Sequence, residues 1–407
     1  MAGPATGGSA HGGSAHGGSA HGHSAQSDRD HLEYIRRAGR TTRRAIAEHT
    51  GLSRSVVAQS VAELIAQGLV VERKLAPTTA RRGRPTAVLE LAHQPGVVVA
   101  CDLGHHHITV AISDLQSHVL TETRSVFPVD EGAAETFRAV HDLVAASLRR
   151  ARSTLADVTA FGISFPFPVI MPSGALRAPV ALPGWRDVNV ADVRPAGFTG
   201  PLVYDNDANF GAWGERIHGA SPELDNLLYV KLSHGVGAGL IVDGRLLSGA
   251  RGTAGEMGHM QVEPGGALCR CGRRGCLETV VAASLPDYHR AGLRVGRAIA
   301  QLCSFVDAEV LILGGQFGSS GGPLVEGVRE AFARFTPGGE DGSAEAGALR
   351  VDIRSASLGE RSELVGIIDR TLTAAWATQK AHSSWGRTNS GGVLEVPFDA
   401  ERFVMKE

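Results

Sequence analysis

The sequence predicts an α/β protein with a small basic helical module at its N-terminus. Three observations lead there. From Val97 onward, short apolar strand-like runs alternate with amphipathic helical stretches, the pattern of strands joined by helical crossovers. Ahead of that, residues 27–93 hold 12 Lys and Arg against 7 Asp and Glu, a balance of +5 that leaves −7 for everything after His93. Inside this basic segment, Ala47, Gly51 and Ser53 precede an apolar-striped stretch with the spacing of a helix-turn-helix. At 407 residues, 43% hydrophobic and 20% charged, the chain has surface enough for two or three packed domains. Disorder throughout is excluded.

Residues 1–26 repeat Gly-Gly-Ser-Ala-His three times from Gly7 to His21 and contain no Lys, Arg, Asp or Glu. A segment without hydrophobic periodicity cannot offset its ordering entropy, so it is predicted to be disordered. His11, His16, His21 and His23 could at most bind metal weakly. Residues 27–93 then read as a DNA-binding domain. Leu32 and Ile35, with Arg36 and Arg37 beside them, suit a short first helix. Ala45-Ile46-Ala47 starts a second after the Thr41-Thr42 cap. Gly51 supplies the tight turn and Ser53 caps a third helix, on which Val57, Val61, Leu64 and Ile65 form one stripe. Gly68 ends it. The exposed face of this third helix is expected to carry Arg54, Ser55, Gln59 and Ser60, side chains able to reach base edges or phosphates. Two strand-like stretches, Leu69–Arg73 and Ala87–Leu91, flank the loop Ala80–Pro85. Its Arg82 and Arg84 suit a wing in a narrow minor groove. The alternative is a helical interaction module with a solvated basic face.

In the body, Val97–Leu103 and Ile108–Asp114 read as a hairpin, Phe137–Arg150 as an amphipathic helix and Thr159–Ser164 as a strand. Asn226–Leu232, Gly239–Val242 and Glu309–Leu313 are further strands, and Leu293–Val306 is a helix. The last 25 or so residues show no pattern. No apolar run approaches the roughly 18 residues that a membrane helix needs, and no signal-peptide core is evident. A membrane partner is not expected, and the setting is read as cytoplasmic.

Of five cysteines, three fall within eight residues, which fits a metal in a reducing compartment better than a disulfide framework. His259, Cys269, Cys271 and Cys276 make one imidazole and three thiolates, a closed tetrahedral set for a structural Zn²⁺, with glycines around it to let the backbone wrap. Reduced cysteines packed in a loop are the alternative. Cys101 and Cys303 lie in apolar runs and read as core. A third cluster is polar: Asp205-Asn206-Asp207 after a strand-like run, then Glu256, His259 and Glu278. Carboxylates, an amide and an imidazole can address vicinal hydroxyls, as a sugar presents, though such clusters also make turns.

In sequence, these pieces resemble the ROK family of repressors, open reading frames and sugar kinases, and most of all its transcriptional-regulator branch. The resemblance runs from about Asp30 to about Arg370. It is carried by Asp102-Leu103-Gly104, Leu182-Pro183-Gly184-Trp185, Asp205-Asn206-Asp207-Ala208-Asn209 and Gly214-Glu215. Further on come Gly235-Val236-Gly237-Ala238-Gly239, Ala254–His259, the cysteines with Gly275-Cys276-Leu277-Glu278, and Gly314-Gly315. It implies an actin-like, sugar-kinase-type body of two lobes, taken as residues 94–206 and 207–407, behind a winged helix. It further implies sugar contacts at Asn206, Asp207, Glu256, His259 and Glu278, and zinc ligands at His259, Cys269, Cys271 and Cys276. Asp207 matches the base of the kinase branch.

The nucleotide side departs from the family. Where kinases carry Gly-Gly-Thr-Lys or similar, this chain has Gly104-His105-His106-His107, and the usual Gly-Thr-Gly is Ser233-His234-Gly235. Imidazoles stand where backbone must approach a polyphosphate. The expected protein is therefore a sugar-responsive repressor without enzymatic activity, a homo-oligomer binding operator DNA. An ATP-dependent sugar kinase fused to a DNA-binding domain is the rival.

Overall fold

The computed structural model describes residues 20–74, 87–219, 224–319, 321–335 and 351–384. Two compact units divide the chain after Gln94. The first holds helices α1 (Ala20–Ala38), α2 (Arg43–Thr50) and α3 (Arg54–Ala66) and strands β1 (Arg40–Thr41), β2 (Val70–Lys74) and β3 (Ala87–Leu91). The strands form one antiparallel sheet in the order β1-β3-β2, completing a winged helix. Thr42 caps α2 by accepting from Ala45 N at 3.2 Å. Gly51 turns the chain at φ +68° while its N–H donates to the Ala47 carbonyl, a left-handed conformation that glycine adopts without strain. Ser53 caps α3. Val57, Val61 and Leu64 are fully buried with Ile35 and Ile46, so the predicted stripe is the core; Ile65 is half-buried.

Helix α1 is longer than expected, because it starts inside the segment read as disordered. Once the docked part of a helix has nucleated, each added residue costs only propagation. Residues 1–19, with two of the three Gly-Gly-Ser-Ala-His repeats, lie outside the described residues, as do the wing arginines Arg82 and Arg84 and the unpatterned tail from residue 385.

The second unit is built from the same sheet pattern twice. Strands β4 (Val97–Gly104), β5 (His107–Asp114) and β6 (Val119–Val126) form an antiparallel meander. Then β7 (Val158–Phe165) and β10 (Leu202–Asn206) add in parallel beside β4, giving the order β10-β7-β4-β5-β6. Helix α4 (Ala133–Arg150) packs on β5 and β6, and the small hairpin of β8 (Val169–Ile170) and β9 (Ala175–Leu176) lies between β7 and β10. The second sheet repeats this with β11 (Leu227–Leu232), β12 (Val236–Val242), β13 (Arg245–Leu246), β14 (Val310–Gly314) and β15 (Asp352–Ser355), in the order β13-β12-β11-β14-β15. Helices α6 (Leu277–Ser284), α7 (Tyr288–Val306), α8 (Gly315–Gly318) and α9 (Pro323–Phe335) belong to this lobe. Cys101 and Cys303 are fully buried core residues, as their apolar runs predict.

Two helices lie between the sheets. Helix α5 (Asp207–His218) packs on β11 and β12, while α10 (Ser362–Ser384) packs on β4, β7 and β10 and against α5. A Cβ on Gly214 or Gly366 would fall on the backbone of the other helix, so glycine is what permits this crossing. Buried Glu215 secures it, accepting from Leu358 N at 2.9 Å, Ser357 N at 3.1 Å and the Ser362 hydroxyl at 2.8 Å. This corrects the division at residue 207. The chain returns to the first lobe through α10, whose apolar face covers the first sheet, so the first lobe also includes residues 362–384.

Candidate functional site

On α3, Arg54, Ser55 and Gln59 are exposed, as expected. Ser60 is not. It is 5% exposed, and its hydroxyl lies 2.8 Å from Nδ1 of buried His31. At i+3 from Val57, Ser60 falls on the packed side of the helix and joins α3 to α1; it is removed from the set that could face DNA.

In the second unit the two lobes enclose a cavity of about 590 Å³. Chain turns at strand ends supply its lining. Asn206 ends β10 and caps α5, its side chain accepting from Ala208 N at 2.9 Å, so that Asp207 opens the helix at the cavity floor. Glu256 and His259 come from a 3-10 turn, and Glu278 from the first turn of α6. All five residues expected at a sugar line this one cavity.

The spacing of motifs did not reveal what lies beneath them. Lys231, on β11, places Nζ 2.8 Å from Asp207 Oδ2 and 3.5 Å from Glu363 Oε1, and Tyr229 donates to the same Glu363 oxygen at 2.9 Å. Asp102 accepts from Ser164 Oγ at 2.7 Å and lies 3.1 Å from His107 Nε2. Burial alone would lower the Lys231 ammonium, but Asp207, Glu363 and Asp102 together hold it well above its ordinary range. Glu256 behaves oppositely. Burial, followed by the charges of Asp207 and Glu278, pushes its carboxyl up to about 7. A lone lysine inside an apolar strand pattern gives no signal of its role, because its partners are 24 and 132 residues away.

His259, Cys269, Cys271 and Cys276 have their donor atoms all within 4.8 Å of one another. Cys269 Sγ is 3.5 Å from His259 Nδ1, and the Cys271 and Cys276 sulfurs are 3.7 Å apart. A tetrahedron with thiolate bonds of about 2.3 Å has edges of roughly 3.7 Å, so the donor set fits a tetrahedral metal ion. His259 turns Nδ1 toward the cysteines and Nε2 toward Glu256, 3.8 Å away.

The loops Gly104–His107 and Ser233–Gly235 meet at the cavity. His105 and His106 form the β4–β5 turn, and the His106 ring packs edge-on against His234 with centroids 4.5 Å apart. The Ser233 hydroxyl accepts from Gln316 N at 3.0 Å.

A two-lobed, duplicated α/β body with a polar cavity between its lobes, and a winged helix ahead of it, defines the class. The ROK family model matches residues 98–286 and the MarR family model residues 30–82. The chain thus carries a ROK family domain, with a MarR-type winged-helix domain ahead of it. It is 30% identical over 237 residues to the xylose repressor of Caldicellulosiruptor bescii, a match spanning 58% of this chain and 59% of that protein. It thus spans less than two thirds of the length of the repressors it matches. The ROK family glucokinase of Streptomyces griseus, solved with glucose and AMPPNP, superposes with a TM-score of 0.58 at 25% identity, covering 68% of this chain and 99% of that one. A ROK family transcriptional regulator, a homolog of the Escherichia coli MLC protein, has a TM-score of 0.65 at 20% identity, covering 88% of this chain and 99% of that one. This last likeness is one of fold. No helix among the described residues is long and apolar enough to cross a membrane.

Proposed function

We propose that this protein is a sugar-responsive transcriptional repressor without kinase activity. The observation that carries the reading is a combination within one chain. The polar set Asn206, Asp207, Glu256, His259 and Glu278 converges on one cavity, a winged helix precedes it, and histidines fill both loops that would cradle a nucleotide's phosphates. In this reading Asp207 and Glu256 accept hydrogen bonds from sugar hydroxyls, and Nε2 of His259 contributes another contact. One Zn²⁺ per chain, held by His259, Cys269, Cys271 and Cys276, fixes the ring by Nδ1 and supplies structural stability. Arg54, Ser55 and Gln59 face operator DNA in the major groove, with Arg82 and Arg84 in the minor groove. The protein acts in the cytoplasm as a homo-oligomer, since twofold operators call for twofold readers. Sugar changes DNA affinity by binding one arrangement of the lobes better than the other.

One observation favours the rival sugar kinase: Asp207 heads α5 as a catalytic base would, in a body superposable on a glucokinase. Against it, Lys231 already engages that carboxylate. The experiment is to select DNA sites with the full chain and then titrate the complex with a panel of free sugars. A coupled phosphoryl-transfer assay with Mg-ATP runs alongside. Sugar-dependent DNA affinity without turnover is expected, and Asp207→Asn should weaken the response. Turnover that Asp207→Asn abolishes would overturn the reading in favour of the kinase.

A further inference from the structure

Arg270 sits in the cysteine loop between two of the four metal donors, yet its side chain leaves that loop and crosses the cleft. Nη1 lies 3.1 Å from His105 Nε2 on the first lobe, Nη2 donates to the His234 carbonyl at 3.2 Å, and Nε is 3.4 Å from Glu278 Oε1. Its own carbonyl accepts from Ala181 N at 3.3 Å, a second tie to the first lobe. Beyond His105 stands Asp130, whose Oδ1 is 2.6 Å from Nδ1. Arg270 Nη1 also lies 3.3 Å from His105 Nδ1 and 3.8 Å from Asp130 Oδ2, so the guanidinium meets the imidazole and its carboxylate partner together. One polar chain therefore runs Asp130–His105–Arg270–Glu278, from a 3-10 turn of the first lobe (Val129–Glu131) to α6 of the second.

Its far end touches the metal donors. Glu278 Oε1 is 3.0 Å from Cys269 Sγ and 3.6 Å from His259 Nδ1. Arg270 lies in sequence between Cys269 and Cys271, so a metal ion that draws those two donors together also fixes the backbone from which the Arg270 side chain spans the cleft.

We propose that Arg270 is the residue that couples the metal loop to closure of the cavity. A filled loop holds Arg270 across the cleft and the first lobe's His105 turn with it; an emptied loop lets that turn go. The inference rests on the reading that the His/Cys cluster holds a metal. It makes Arg270 a positioning residue for any ligand enclosed between the lobes, and gives the altered Gly104–His107 turn a role as the strike plate of a latch.

Hydrogen–deuterium exchange of the full-length protein tests this, with metal content measured on the same samples. Chelation should raise exchange about tenfold in the peptides covering residues 104–107 and 127–131 of the first lobe, and adding Zn²⁺ back should reverse it. Arg270→Ala should keep its metal, show the raised exchange already, and not respond further to chelator. His105→Ala, which leaves the cysteine loop intact in sequence, should keep its metal and loosen residues 265–275 reciprocally. Loss of metal by Arg270→Ala, or a chelation effect that also unfolds β4 and α7, overturns the coupling. Bound metal with unchanged exchange at the opposite lobe in His105→Ala overturns the coupling alone. Protein carrying no metal overturns the metal reading and the coupling together.

Discussion

Replacing Lys231 with methionine removes the one ammonium among three carboxylates. Lys231 and Asp207 have side chains 11% and 12% exposed, and Glu363 only 3%. Taking one partner from a buried ion pair costs about 3–5 kcal/mol, because the other charges are left uncompensated. Two effects reduce this. The methionine stem retains most of the packing. Glu363, whose carboxyl burial already raises in spite of Lys231, can take up a proton when the lysine is gone. A loss of about 2–3 kcal/mol at pH 7 follows. The pH dependence has a definite sign. A carboxyl whose folded pKa is raised above its unfolded value of about 4.3 lowers stability as pH rises through that window. The deficit should therefore grow as pH rises and be smaller at pH 5 than at pH 7. Urea denaturation of wild type and Lys231→Met at the two pH values measures it, and Glu363→Gln in the same chain should recover part of the loss. A variant as stable as wild type at pH 7, or a deficit identical at pH 5, would refute the reasoning.

Cys271→Ser should lose bound zinc and lower the melting temperature by several degrees, read by metal analysis and calorimetry on chelator-free protein. On selected DNA, Arg54→Ala and Gln59→Ala should relax base preference at a cost of about 1–3 kcal/mol each, and Arg84→Ala should weaken binding across sequences and reduce its salt dependence. Ser60→Ala should instead lower the stability of the winged helix and leave base preference unchanged. Burial lowers the pKa of His31, although Asp28 and Asp30 act in the opposite direction. The unfolded chain therefore binds a proton first as pH falls below about 6.5, and the winged helix should lose stability there. His31→Leu should flatten that slope in thermal melts from pH 7.5 to 5.5.

The parts of this protein legible in its sequence are those with local signals. The Ala47–Gly51–Ser53 turn, the His259/Cys cluster and the strands from Val97 to Asp114 are encoded by residues near one another in the chain, and the fold places them as their spacing predicts. Long-range features had no such signal. Strand β6 has a burial pattern of exposed and half-buried residues only, because it is an edge strand, so it lacks the apolar run that marks a buried one. Helix α10 returns from the end of the chain to the first sheet through close contact at Gly214 and Gly366, a pairing invisible without the topology. Ser60 and Lys231 were misplaced or missed for one reason: each is polar, and only its distant partner, His31 or Asp207, explains why it is buried.

In the proposed reading, a two-lobed body senses a sugar through the balance between two arrangements of its lobes. Moving two lobe arrangements from 1:99 to 99:1 requires a ligand to prefer one of them by about 5.5 kcal/mol. Hydrogen bonds to charged groups supply about 1.5–3 kcal/mol each, so two or three that form only when the lobes approach would suffice. In the proposed reading such bonds would span the cleft, because Asn206 ends a strand of the first lobe while Glu256, His259 and Glu278 belong to the second, and all line one cavity. In a kinase part of that preference serves to align a nucleotide for transfer. Here His105 and Arg270 already bridge the lobes at that cavity, and on the proposed reading a sugar's differential affinity would shift the balance between arrangements.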